Sequence, residues 1–177
     1  MLKLRSTNEN SLSRNHTIPE TSAAEIRLAT QKDLSSVASL LQESFVEYRS
    51  LYTDEGFAAT TPSSEQLSQR MNEGPIWVAA KDDVLVGTVS AVARGDDLYI
   101  RGMAVLPEAR GLGVGARLLK TIEEFALAQG HQRLTLSTTP FLSAAIRLYE
   151  SYGFQRTADG PHDLHGTPLF TMIKDLR

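Results

Sequence analysis

The stretch Arg110-Gly111-Leu112-Gly113-Val114-Gly115-Ala116 constrains the fold of this chain more than any other. It follows an apolar segment ending at Val105 and opens a run in which Val114, Leu118, Leu119, Ile122, Phe125 and Ala126 recur at helical spacing, up to Gln129 and a closing Gly130. A strand, a short glycine-rich loop and a helix N-terminus therefore meet here. The first N–H groups of such a helix have no partner within it, and the helix dipole places its positive end among them. Glycine accepts positive φ and lets the backbone come close to a ligand, so several N–H groups can converge on one anion beside the Arg110 guanidinium. A pyrophosphate suits such a loop.

Other readings explain less of it. The plainest takes the glycines as a tight strand-to-helix turn with Arg110 solvated. A dinucleotide-binding fingerprint, G-x-G-x-x-A, is matched by Gly111, Gly113 and Ala116. That fingerprint should follow its strand directly and be answered by an acidic residue about twenty positions on, whereas Leu106 to Arg110 intervene and no carboxylate stands near His131 to Arg133. A nucleoside-triphosphate loop fails because no Gly-Lys-Ser/Thr comes after the glycines.

A length of 177 residues suits one domain around a single core. The formal net charge of -3 gives no broad attraction for nucleic acid or acidic lipid, so neither nucleic acid nor membrane is an expected partner. No window approaches the roughly eighteen apolar residues of a membrane span. The residues after Met1 to Arg5 are polar, unlike a secretory signal. The chain has no cysteine, which excludes disulfides, thiolate metal ligands and a cysteine nucleophile and makes the cytoplasm the expected location.

Residues 1–24 are expected to form an unstructured arm, because Leu12 and Ile18 are the only large apolar side chains between Ser6 and Ala24, and residues 25–177 a single domain. Ile26 to Ala29 alternates as a strand, and Thr30 with Asp33 supplies a variant capping box for a helix burying Leu34, Val37, Leu40, Leu41 and Phe45. A second helix is expected from Ser63 or Ser64 to Met71. Ile76 to Ala80 and Val84 to Val92 read as a hairpin around Asp82-Asp83, and Gly95-Asp96-Asp97 turns the chain into Leu98 to Val105. After the glycine loop and its helix come a strand, Arg133 to Ser137, and a helix capped by Thr138 or Thr139 with Pro140 in its first turn, ending at Gly153. Strand-like segments at Phe154 to Thr157 and Leu169 to Ile173 flank a loop bearing Asp159, Pro161, His162, Asp163, His165 and Gly166. The order is β-α-α-β-β-β-α-β-α-β-β, a mixed α/β arrangement.

Arg110 to Ala116 resembles the R/Q-x-x-G-x-G/A signature of the GNAT superfamily of acyl-CoA-dependent N-acyltransferases. A second segment, Ala145-Ile146-Arg147-Leu148-Tyr149-Glu150-Ser151-Tyr152-Gly153-Phe154, is similar to that family's A-I-x-L-Y-E-x-x-G-F helix, although alone it reads as an ordinary amphipathic helix with core tyrosines. The resemblance runs from about Glu25 to Leu176 in element order. It implies a GNAT-like α/β fold with a mixed, mostly antiparallel central sheet flanked by about four helices, and a splayed cofactor-binding strand pair. It implies acetyl-CoA (coenzyme A) as co-substrate and no metal. The backbone of Met103, Ala104 and Val105 would pair with the pantetheine arm, the N–H groups of Gly111, Leu112, Gly113, Val114, Gly115 and Ala116 would cradle the pyrophosphate, and Arg110 would add charge there. The implied activity is direct transfer of an acetyl group to a primary amine of a small molecule or peptide, with a non-catalytic acyl-CoA sensor as the alternative. Oligomeric state stays open, a homodimer included.

Such a transfer needs a neutral amine and a stabilised thiolate. Tyr149 matches the family's acid position, with core packing as its other reading. Many relatives carry a glutamate where this chain has Tyr99, so Asp97, on the same strand face two residues earlier, is the candidate base, with a turn aspartate as its other reading. Leu142 stands where many relatives place an asparagine that contacts the cofactor, with Ser143 beside it. Element position makes Glu47, Tyr48, Tyr52, His162 and His165 candidate acceptor-lining residues. Two histidines and Asp163 in a loop are too loose a set for a metal.

Overall fold

The computed structural model describes residues 23–176. The expected arm lies outside them up to residue 22, and Ala24, assigned to that arm, is already buried against the core. Strands β1 (Glu25–Leu28), β2 (Ile76–Lys81), β3 (Val84–Arg94) and β4 (Asp97–Val105) pair antiparallel in that order. The β2–β3 turn has Asp82 and Asp83 both at positive φ, 50° and 63°, which is the backbone twist that a two-residue hairpin needs and that aspartate tolerates. Helix α4 (Val114–Gln129) then carries the chain across to β5 (Arg133–Thr138), which lies parallel to β4. Beyond β5 come β8 (Thr167–Asp175) and, on β8, both β6 (Gln155–Arg156) and β7 (His162–Leu164), all antiparallel. The sheet is mixed and mostly antiparallel, as expected, with eight strands.

Five α-helices flank it rather than about four. Helix α1 (Leu34–Phe45) buries Leu34, Val37, Leu40 and Leu41, whereas Phe45 is only partly buried. Its entry is held by the Asp33 carboxylate, which accepts from the Thr30 N–H at 2.7 Å and from Arg27 at 2.8 and 2.9 Å. These bonds keep Asp33 well below the usual carboxylate range, the Arg27 bond contributing most. Helix α2 (Asp54–Thr60) has no apolar period to announce it; Thr53 caps it and donates to the His165 carbonyl at 2.6 Å, tying it to the β7–β8 turn. Helix α3 (Ser64–Met71) starts at a Ser63–Gln66 capping box. Helix α5 (Ser143–Ser151) begins later than the Thr-Pro pattern suggests. Phe141 packs edge-on against Tyr52, with ring centres 4.9 Å apart, and this holds Pro140 and Phe141 in a turn closed by the Leu142 N–H on the Thr139 carbonyl at 3.2 Å. His162 and Asp163, expected in a loop, lie in β7 because that strand finds β8 as a partner.

Register separates the two faces of the sheet. Trp77 opposes Val89, and Trp77 meets Phe125 of α4 at 5.1 Å, so α4 covers the face that also carries Gly87, Ala91 and Ile100. Helix α1 covers the face of Val78, Thr88 and Ser90, and α3 packs against α1. Both faces are consequently apolar, and Leu98, Leu118, Leu119, Ile122, Leu134 and Met172 are almost wholly buried. Among the described residues no helix is long and apolar enough to cross a membrane.

Two irregularities in β4 shape the site. Gly102 sits at φ 60° in a bulge, where the register to β3 jumps from Thr88↔Ala104 to Ser90↔Arg101. The pairing with β5 ends at Ile100↔Leu136, so the two strands part and the residues of β4 from Arg101 to Val105 pair with β3 alone.

Close backbone approach at one point yields a stability test. A Cβ on Gly74, between α3 and β2, would overlap the Ala91 carbonyl oxygen, which is held in the sheet and cannot move aside. Gly74→Ala should therefore destabilise the fold by about 1–3 kcal/mol, read as a lower midpoint in urea with an unchanged slope.

Candidate active site

The parting of β4 from β5 opens a cleft of about 430 Å³. Met103, Ala104 and Val105 of β4, Gly111, Gly113, Val114, Gly115 and Ala116 of the loop and the start of α4, and Tyr149 of α5 all line it. Of the two sequence segments, Arg110, Gly111 and Gly113 to Ala116 of the first and Ala145, Leu148 and Tyr149 of the second line the cleft. Leu112 is 63% exposed and does not line it, nor do the other residues of the second segment.

The loop is built to approach a ligand. Gly111 and Gly113 both have φ 78°, and a Cβ on either would meet no atom within 4 Å. Gly113 is the N-cap of α4 and makes no side-chain bond, while the first internal bond runs from the Arg117 N–H to the Gly113 carbonyl at 3.1 Å. The N–H groups of Gly113, Val114, Gly115 and Ala116 precede that bond and point out of the helix. Gly115 has a different reason to be glycine. A Cβ there would sit 2.7 Å from Leu148 Cδ2 and 3.4 Å from Met103 Cε, so its absence lets α4 close on α5 and β4.

Arg110 lines the cleft beside the loop. Its Nε donates to the Val105 carbonyl at 3.3 Å, its Nη2 to the Ser44 carbonyl at 3.0 Å, and its Nη1 pairs with Glu47. A neighbouring carboxylate balances the charge of Arg110, and the side chain ties the end of α1 to the end of β4. Glu47, expected on the acceptor side, is that partner.

Tyr149 is 7% exposed and packs 5.8 Å from Phe154, centre to centre. Burial, then the nearby Tyr52 and Tyr99, push its phenol above the usual tyrosine range, so it stays protonated at neutral pH. Asp97 is elsewhere. It opposes Arg133 at the start of the parallel pair and accepts from Arg133 Nε and Nη2, both at 2.9 Å. Six residues of extended chain put it about 20 Å along β4 from Met103. The reading of Asp97 as the base is corrected: its side of the strand is suited to the site, but its position along the strand is not.

Tyr48 lines the cleft as expected, and Tyr52 is buried beside Phe57 and Phe141. The turn bearing His165 meets α2, yet neither His162 nor His165 lines the cleft. Leu142 lines it and offers no polar atom from its side chain, whereas Ser143 does not line it. Sequence reasoning missed Ser44 and Phe45 at the end of α1. Ser44 is buried with its hydroxyl unpartnered among the described residues, and a serine on the apolar stripe of a helix was the available signal. Among the described residues, no carboxylate or imidazole lines the cleft.

Comparison with known proteins agrees with this geometry. The Acetyltransferase (GNAT) family matches residues 36–154. A probable N-acetyltransferase camello of Xenopus laevis is 30% identical over 161 residues, covering 85% of this chain and 74% of that protein. Probable N-acetyltransferase family 8 member 5 of Mus musculus is 34% identical over 90 residues, 48% of this chain, and the match spans only 40% of the mouse protein. Among solved structures, the PaiA N-acetyltransferase of Thermoplasma acidophilum in complex with coenzyme A has the same fold, with a TM-score of 0.73 at 22% identity, over 87% of this chain and 99% of that one.

The placement of Asp97 is open to a direct check. Its partner Arg133 is 48% exposed at the side chain, so Asp97→Asn should cost under about 1 kcal/mol in stability. Ligand binding in the cleft, read by calorimetry, should be unchanged.

Proposed function

Because the chain belongs to the GNAT family of acetyltransferases, we propose that it moves an acetyl group from acetyl-CoA to a primary amine of a small molecule or peptide, by direct attack. The observation that carries this reading is the junction in one cleft of a strand edge with no partner in β5, Met103 to Val105, with the outward N–H groups at the start of α4. An extended amide-bearing arm fits the edge and a pyrophosphate fits the loop, and the open space over Gly111 and Gly113 is a fit that a side chain would spoil. When bound, acetyl-CoA would supply an acetyl group activated as a thioester.

The chain's own groups set the rest. Backbone N–H groups of the parted β4 segment are available to polarise an acyl carbonyl. Tyr149 supports a hydrogen bond to the departing sulfur. An ordinary thiol titrates near 8.5 and an ordinary phenol near 10, and burial moves this phenol further up. Complete transfer of its proton to a thiolate is thus uphill, and donation of a hydrogen bond is the role its protonation state favours. No carboxylate or imidazole of the described residues stands on the cleft wall, a setting suited to an amine that enters already neutral. That same feature favours the second reading, a sensor that binds acyl-CoA without turnover. Thiol release from acetyl-CoA across a panel of amines separates the two, since a sensor releases none.

Tyr149→Phe should keep the packing and the KM for acetyl-CoA while kcat falls about tenfold to a hundredfold. A kcat within about twofold of the parent, with stability unchanged, would assign Tyr149 to packing alone. The pH profile of kcat/KM should rise with unit slope up to the acceptor amine's own pKa and should shift when an acceptor of different pKa is used. An inflection that stays at one pH for every acceptor would instead reveal a base on the protein.

A further inference from the structure

Arg101 is the first residue of β4 beyond the last pairing with β5, and it lies on the α1–α3 side of the sheet, the same strand face as Tyr99. Two residues of strand put it about 7 Å from Met103 on the cleft wall. Its Nη1 pairs with Glu73, just past the end of α3, at 2.8 Å. Its Nε and Nη2 are both buried and, among the described residues, neither has a partner. Buried charged donors are normally paired, and these two form a specific set, the side-on fork of a guanidinium. The chain shows what that fork does elsewhere, because Arg133 uses Nε and Nη2 to hold both carboxylate oxygens of Asp97 at 2.9 Å each.

The surroundings carry excess positive charge. Arg70 of α3 donates to the Ala59 carbonyl at 3.1 Å, and its guanidinium is pushed down first by burial and then by the charge of Arg101, against a smaller pull from Glu73. Two guanidinium groups share one carboxylate. The Arg101 side chain keeps 22% of its surface exposed beside the half-exposed Glu73, on atoms other than the buried Nε and Nη2.

We infer that the Nε–Nη2 edge of Arg101 anchors a carboxylate of the acceptor, so that the substrate class is an amine that also carries a carboxylate. The inference rests on the acetyltransferase reading for its catalytic meaning but not for the anion site itself. A planar two-oxygen group matches the fork, and the anchor lies on the strand that walls the cleft, where it fixes one end of an acceptor whose amine reaches toward Met103.

The test uses free amino acids and their α-carboxamides as paired probes, in thermal-shift titrations and in acetyl-CoA thiol-release assays. Carboxylates should raise the melting temperature and be preferred over the amides by at least about tenfold in kcat/KM. Arg101→Gln should abolish the shift and raise KM for the carboxylate at least about tenfold, with KM for acetyl-CoA within about twofold, and Arg101→Lys should restore the effect only in part. Should Arg101→Gln fold poorly, Glu73→Gln releases Nη1 and should tighten carboxylate binding. Equal kcat/KM for acids and amides, no melting shift with any carboxylate, or unchanged affinity in Glu73→Gln each overturns the inference while leaving the transferase reading intact. Carboxylate shifts lost in Arg101→Gln without thiol release from any amine support the anion site and count against the transferase reading.

Discussion

The parting of β4 from β5 is the constraint on which the rest of the molecule depends. A parallel pair in the middle of a sheet normally satisfies the backbone groups between its strands, and here it does so only from Asp97 to Ile100. The bulge at Gly102 then turns β4 away, leaving one edge of Arg101 to Val105 without a strand partner. The core keeps both strands in place despite this, with Leu98, Leu134 and Leu136 buried at the base of the split. Helix α4 starts beside the same split, and the residues that carry its free N–H groups line the cleft. Strand edge and helix terminus are thus two parts of one backbone surface, rich in donors, which needs few side chains to hold an elongated, partly anionic ligand.

Much of this was legible because it is local. The Asp82-Asp83 turn, the Thr30–Asp33 box and the glycine loop announce themselves through residue types with particular backbone tolerances, and Tyr149 through the resemblance of its helix to the family's A-I-x-L-Y-E-x-x-G-F segment. The hidden features depend on contacts distant in sequence. Arg110 beside three glycines suggests a phosphate ligand, and only the fold brings Glu47, 63 residues away, to take its charge. Alternation gave Asp97 its strand face but says nothing of how far along the strand the sheet splits. Helix α2 is held by Thr53 against the β7–β8 turn, more than 100 residues on, so no periodic pattern marks it. The late start of α5 results from Phe141 packing against Tyr52, which is likewise a tertiary effect.

Side-chain electrostatics divide the molecule between restraint and recognition. The pairs Arg110–Glu47 and Arg133–Asp97 are closed, and each fixes an end of β4. Arg101 alone on that strand holds a guanidinium fork without a partner among the described residues. The cleft itself contributes a protonated phenol, and in the proposed reaction positioning and hydrogen bonding are what its walls offer an acyl transfer.

Amide hydrogen exchange with and without acetyl-CoA tests the central claim most directly. If the strand edge and glycine loop form one acyl-CoA site, the ligand should slow exchange in two separate stretches together, the β4 residues from Arg101 to Val105 and the loop from Gly111 to Ala116, while the β1–β2 pairing is unaffected. Protection of neither stretch, or protection confined to the other end of β4 around Asp97 and Arg133, would contradict the account.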